Sequence, residues 1–171
     1  GGKPNNTETG TLGYLPEYIG PPEGIAQTPE LVEEYPLIIS DVHAYRLCNH
    51  SYYVGVPYLR ELQPYPWVKI NPATAKQYGI EDGDWIKVES PHGWVKLVAK
   101  YFEGIAPEVL MTRRGWWQGC EELGLPGYER FDGGSDSTVL YDSTIENFDP
   151  FHSAMAKQTL VKISKLEGGD E

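Results

Sequence analysis

Residues 84–102 carry the pattern that most restricts the fold. In DWIKVES (84–90) Ile86 and Val88 alternate with polar neighbours, and in WVKLVAKYF (94–102) Val95, Leu97, Ala99 and Tyr101 do the same. A period of two places successive side chains on opposite faces, so each run is a strand with one buried face. Pro91-His92-Gly93 between them predicts a hairpin turn. Just upstream, NPATAKQYG (71–79) carries helix punctuation in order: Asn71 caps, Pro72 fits the first turn, and Gly79 supplies a left-handed stop. The next residues, GIEDGDW, crowd three carboxylates around Gly83. A calcium loop needs acids at alternate positions over about a dozen residues and a closing bidentate Glu. Here apolar residues follow at once, so the stretch is a tight helix-to-strand turn.

The remaining chain adds strands rather than helices. YPLIIS (35–40), WVKI (67–70), EVLMT (108–112) and TLVKISKL (159–166) are short buried-type strands, and one helical turn is expected near 58–62. About six short strands, one short helix and two long irregular loops fit a mainly β barrel with inserted loops. Residues 1–34 have connector composition, with a single helical turn opened by Thr28 and Pro29, and GGKPNNTETG reads as flexible. The expected division is a linker over 1–34, a barrel over 35–166 and a disordered tail over 167–171. Stretch 113–158 is rich in Gly, Asp and Ser and predicts no firm element.

Composition excludes some partners. The formal net charge of −11 disfavours a nucleic-acid backbone, and no apolar run approaches a membrane span. Cys48 and Cys120 give no disulfide framework. Asp41, His43, Cys48 and His50 lie within ten residues and are all metal-ligand types. Their irregular spacing beside Tyr45, Tyr52 and Tyr53 suits a loop against a flat organic cofactor better than a protein-held metal. Arg113-Arg114-Gly115-Trp116-Trp117 begins where a strand ends. It suits a phosphate or polar heterocycle, and equally two solvated arginines beside two core tryptophans. Gly134-Ser135 matches the self-cleaving dipeptide of pyruvoyl enzymes, though the pair is common in loops.

The run from Trp67 to Gly115 resembles the C-terminal molybdopterin-dinucleotide-binding domain of the dimethyl-sulfoxide-reductase family. The resemblance rests on Ile70-Asn71-Pro72, Ala75, Gly79-Ile80, Asp82-Gly83-Asp84, Val88, Ser90-Pro91, Gly93, Ala99, Gly104-Ile105, Pro107-Glu108-Val109 and Gly115. YPLIIS resembles the opening strand, RGWW the HGWW of the thiosulfate, polysulfide and acetylene-hydratase branch, and DPFHSA with Lys157 the closing segment. It covers roughly residues 28–166.

The resemblance implies a six-stranded double-psi β-barrel lying over a molybdopterin guanine dinucleotide cofactor of molybdenum or tungsten. The metal ligand would belong to other domains of the same catalytic subunit, and the isolated domain would be non-catalytic. Iron–sulfur electron-transfer subunits are further partners it allows, and the compartment stays open. Cofactor contacts would come from Ser40, Asp41, Val42, His43, Arg46, His50 and Ser51, from Arg113, Arg114, Gly115, Trp116 and Trp117, and from Ser137, Thr138, Ser153 and Lys157. Four departures from the family pattern stand out. Asp41-Val42 stands for the usual Gly-Arg, Ser137 or Thr138 for Asn, Arg114 for His and Met155 for Pro. The same barrel also serves as a protein-interaction module in some ATPases, and as a pyruvoyl decarboxylase activated at Gly134-Ser135.

Overall fold

The computed structural model describes residue 21 and residues 23–41, 51–144 and 158–167, and the backbone of two short strand pairs at 5–6 with 11–12 and 148–149 with 154–155. Six strands close a barrel: β1 (Leu37–Asp41), β2 (Trp67–Ile70), β3 (Trp85–Ser90), β4 (Gly93–Tyr101), β5 (Val109–Thr112) and β6 (Gln158–Lys165). Their order around the barrel is β6-β1-β5-β2-β4-β3. β1 with β5 and β2 with β4 run parallel, and the other neighbours antiparallel. These interleaved parallel pairs are those of a double-psi barrel.

The alternation read from the sequence is the alternation observed. Leu37, Ile39, Val68, Ile70, Ile86, Val88, Val95, Leu97, Leu110, Val161 and Ile163 point inward and form one apolar cluster. Strand limits fall within two residues of those expected. Three helices are short: α1 (Pro29–Val32), α2 (Pro57–Arg60) and α3 (Pro72–Gln77). Asn71 caps α3 by accepting from Ala73 N at 2.9 Å. Thr28 does not cap α1; its hydroxyl donates backwards to Gly24 O at 3.1 Å, so Pro29 alone starts that turn. Residues 5–6, inside the segment read as flexible, pair with 11–12 just beyond it.

GIEDGDW is a structural turn whose acids tie elements together. Gly83 takes φ +95° and donates to Ala99 O. Asp82 Oδ1 accepts from Tyr101 N at 2.6 Å, and Asp84 Oδ2 from Glu81 N at 2.7 Å and from Lys165 Nζ. The connector's last part is likewise pinned to the barrel. Glu23 meets His92 Nε2 at 2.6 Å and Thr159 Oγ1 at 2.6 Å, while Glu34 meets Lys162 at 2.6 Å. Asp142 lies in the same group, its ligand-type oxygen within 4.8 Å of those of Glu23 and His92.

Candidate cofactor site

The barrel changes character at one end. In β1 the inward positions are Leu37, Ile39 and then Asp41; in β5 they are Leu110 and then Thr112. The two strands are parallel, with Asp41 opposite Thr112, so the apolar core is closed at this end by polar inward residues. The chain leaving β5 passes directly over them as Arg113-Arg114-Gly115-Trp116-Trp117. Open crevices beyond the carboxyl ends of adjacent parallel strands are where loops commonly assemble ligand sites.

Gly115 takes φ +82°, which turns the loop back across the barrel end. Its N–H donates at 3.0 Å to the buried carboxylate of Asp136, and the same oxygen accepts from Thr138 N at 3.2 Å. Asp136 thus binds the 113–117 loop to a short 3₁₀ turn, Ser137–Leu140. That turn is held from its other side by β4, whose first residues extend past β2. Lys96 N donates to Gly134 O at 2.8 Å, Ser135 Oγ donates to Lys96 O at 2.9 Å, and Trp94 N donates to Asp132 Oδ1 at 2.7 Å. Residues 132–135 therefore cover an exposed strand edge. Ser135 is fully buried in this clamp, and a Cβ on Gly134 would lie 1.8 Å from Glu129 O.

The ionisable groups converge. Arg114 Nε forms an ion pair with Asp41 Oδ2, and the Asp41 side chain is only 3% exposed. Tyr141, which follows the 3₁₀ turn, is buried beside them. Burial pushes its phenol pKa up strongly and the Asp41 charge adds to this, while Arg114 acts in the opposite sense. It therefore stays an O–H donor. Arg113 and Arg60 lie over the ring of buried Trp116, at 5.1 and 4.8 Å. Arg130 lies 4.6 Å from the Trp117 ring centre.

Among the described residues, Asp41 Oδ1, Trp116 Nε1, Ser137 Oγ and Tyr141 OH are buried polar atoms near this end without a hydrogen-bond partner. Buried polar groups are nearly always paired, so orphans gathered on the loops of one barrel end mark a place for a polar ligand. The set contains donors, one acceptor and nearby guanidinium charge, which suits a heterocycle carrying phosphate.

The predicted site residues divide accordingly. Asp41, Arg113, Arg114, Gly115, Trp116, Ser137 and Thr138 meet at the barrel end, with Trp117 at its rim, whereas Ser40 holds the opposite, outward phase of β1. Arg113 and Trp116 are buried, so the reading of two solvated arginines is set aside. Ser51 opens the turn toward α2 and makes no hydrogen bond to the cluster among the described residues. Val42, His43, Arg46, His50, Ser153 and Lys157 lie outside the described residues, as does Cys48. Sequence reasoning missed Asp136, Tyr141 and Arg60. Asp136 had a signal, an Asp directly before Ser-Thr, which is a cap pattern. Tyr141 and Arg60 had none.

A family described as "Molydopterin dinucleotide binding domain" matches residues 37–155. Acetylene hydratase of Syntrophotalea acetylenica is 35% identical over 150 residues, which cover 81% of this chain and 19% of that protein. Dopamine dehydroxylase of Eggerthella lenta is 38% identical over 103 residues, 60% of this chain and 10% of that protein. The solved acetylene hydratase from Pelobacter acetylenicus superposes with a TM-score of 0.76 at 27% identity, covering 94% of this chain and 22% of that one. The fold and the site define a cofactor-binding barrel of the dimethyl-sulfoxide-reductase class. The chain belongs to the molybdopterin-dinucleotide-binding domain family. It spans between a tenth and a fifth of the length of these relatives.

Proposed function

We propose that the chain is the C-terminal domain of a molybdopterin oxidoreductase and closes over a guanine dinucleotide form of the cofactor. The cofactor, when bound, supplies the metal and redox chemistry; the domain supplies recognition. Asp41, Arg113, Arg114, Trp116, Ser137 and Tyr141 are the residues that would hold it. Arginine offsets phosphate charge, and the buried hydroxyl, phenol and indole groups donate to ring or phosphate oxygens. The single observation that carries the reading is the set of orphaned buried polar atoms on the loops at the barrel end. His43, Arg46, His50, Ser153 and Lys157 are proposed to complete the site, with the metal ligand contributed by other domains of the same subunit.

The domain alone should bind without turnover. Titration of the isotopically labelled chain with the purified dinucleotide cofactor, followed by chemical shifts, tests this. Shifts at residues 40–41, 113–117 and 136–141 are expected. Shifts centred on residues 81–84, or specific calcium binding there, would overturn the assignment of the site.

A further inference from the structure

Glu23, His92 and Asp142 gather outside the cofactor site, from three segments far apart in the chain. Glu23 belongs to the connector, His92 to the turn between β3 and β4, and Asp142 to the chain leaving the 3₁₀ turn. One ligand atom from each, an imidazole nitrogen and two carboxylate oxygens, lies within 4.8 Å of the other two. His92 Nε2 and Glu23 Oε1 already stand 2.6 Å apart. A tetrahedral site with metal–ligand bonds of about 2.1 Å sets its donors ~3.4 Å apart, so side-chain shifts of about 1 Å complete it.

The donors are aimed by their other contacts. Glu23 Oε2 accepts from the hydroxyl of buried Thr159 at 2.6 Å, which leaves Oε1 turned to the imidazole. Asp142 accepts from Thr144 N at 2.8 Å and from Thr144 Oγ1 at 3.1 Å. His92 is anchored through its backbone N–H, which donates to Ser90 Oγ at 3.1 Å. Outer hydrogen bonds to the carboxylates are what orient metal ligands. The Glu23 and His92 side chains are 15% and 28% exposed, so water reaches the group and can fill a fourth position. An ion pair of Glu23 with His92 does not call for a second carboxylate, whose like charge raises the energy of the first. A dication reverses the sign of that interaction.

We propose that Glu23, His92 and Asp142 form a site for a divalent transition ion of the zinc type, which staples the connector to the barrel. One nitrogen and two oxygens with an open fourth position is a zinc-type donor set, whereas calcium and magnesium take oxygen ligands and more of them. The ion replaces the hydrogen between Nε2 and Oε1, which passes to Nδ1 or to water. This site stands apart from the cofactor reading, and neither depends on the other.

Zinc chloride titrated into the isotopically labelled chain, in chelator-treated buffer, tests the site by calorimetry and by chemical shifts. One equivalent should bind, with shifts at Glu23, the His92 ring, Asp142 and Thr159, and the thermal midpoint should rise with zinc concentration. Glu23→Gln and Asp142→Asn should each weaken binding at least about tenfold, and Thr159→Val about tenfold through loss of the aiming hydroxyl. Melts with chelator present show that the variants are folded. An ion pair acting only as a tether would give none of these zinc responses. Absence of zinc binding would overturn the proposal, as would binding with shifts at other histidines that all three variants leave unchanged. Calcium or magnesium binding as tightly as zinc would also overturn it, since exposed acids alone would then explain the site.

Discussion

Arg60 offers the sharpest test of how the site loop is held. Its side chain is 1% exposed, and its guanidinium gathers backbone carbonyls. Nε donates to Pro64 O at 2.9 Å, Nη1 to Val54 O at 3.2 Å and Gln118 O at 2.9 Å, and Nη2 to Pro126 O at 3.3 Å. None of these four carbonyls accepts from another backbone donor among the described residues. The charge also lies 4.8 Å from the Trp116 ring centre. Arg60 thus joins the turn before α2 to both arms of the loop that follows Trp117.

Each of the two short bonds to a charged donor is worth about 1.5 kcal/mol, the two long ones about half that, and the ring contact about 1 kcal/mol. Removing a buried charge recovers part of its desolvation cost, so the net loss for Arg60→Ala should be about 3–4 kcal/mol. For a domain of this size that lowers Tm by roughly 6–15 °C. Arg60→Met keeps the apolar stem but leaves the four carbonyls unpaired, and should lose at least two thirds as much. Urea denaturation of the three proteins measures this, with near-UV circular dichroism reporting Trp116. A methionine variant within about 1 kcal/mol of wild type would refute the reasoning, since packing alone would then account for the residue.

Two further outcomes follow from titrating groups. Tyr141 has its pKa raised above 10.0 by burial and the Asp41 charge, so its neutral form is favoured in the fold. That contribution is complete below pH 10 and is lost as pH rises through the folded value; Tyr141→Phe should flatten the alkaline limb of a stability-versus-pH curve. Asp84 is held below 3.8, first by its hydrogen bond to Lys165 and then by Glu81 N–H. Its contribution is present above that value and disappears as pH falls through the folded pKa. Asp84→Asn should therefore lose stability at neutral pH but not in strong acid, as followed by thermal melts from pH 2 to 7.

Legibility followed locality. The α3 helix, the turn at 79–85 and the β3–β4 hairpin were readable because cap, stop and alternation are all encoded within a few residues of where they act. Asn71 caps Ala73, and Asp84 bonds Glu81 three residues back. Asp82 and Asp84 of GIEDGDW proved structural for the same reason: each has a backbone N–H and a lysine partner fixed by the turn. By contrast, Arg60 acts on Gln118 and Pro126, 58 and 66 positions away. Nothing near it in the chain marks it as buried; an arginine at the end of a one-turn helix reads as exposed.

Asp41 lies between these cases, and it shows what alternation can say about function. Leu37, Ile39 and Asp41 form one continuous inward phase, so the strand pattern alone places a carboxylate at a core position. A charge in that phase needs a counterion and a reason. The counterion comes from Arg114, reached through the parallel pairing of β1 with β5, a long-range fact invisible to a local reading. The same pairing brings Gly115 over the barrel end, where Asp136 fastens it from a third segment. The position that breaks the apolar phase was thus readable from the sequence, while the residues that answer it were not. An inward polar residue at the last position of a barrel strand marks where packing gives way to recognition, because only a ligand or a distant loop can satisfy it there.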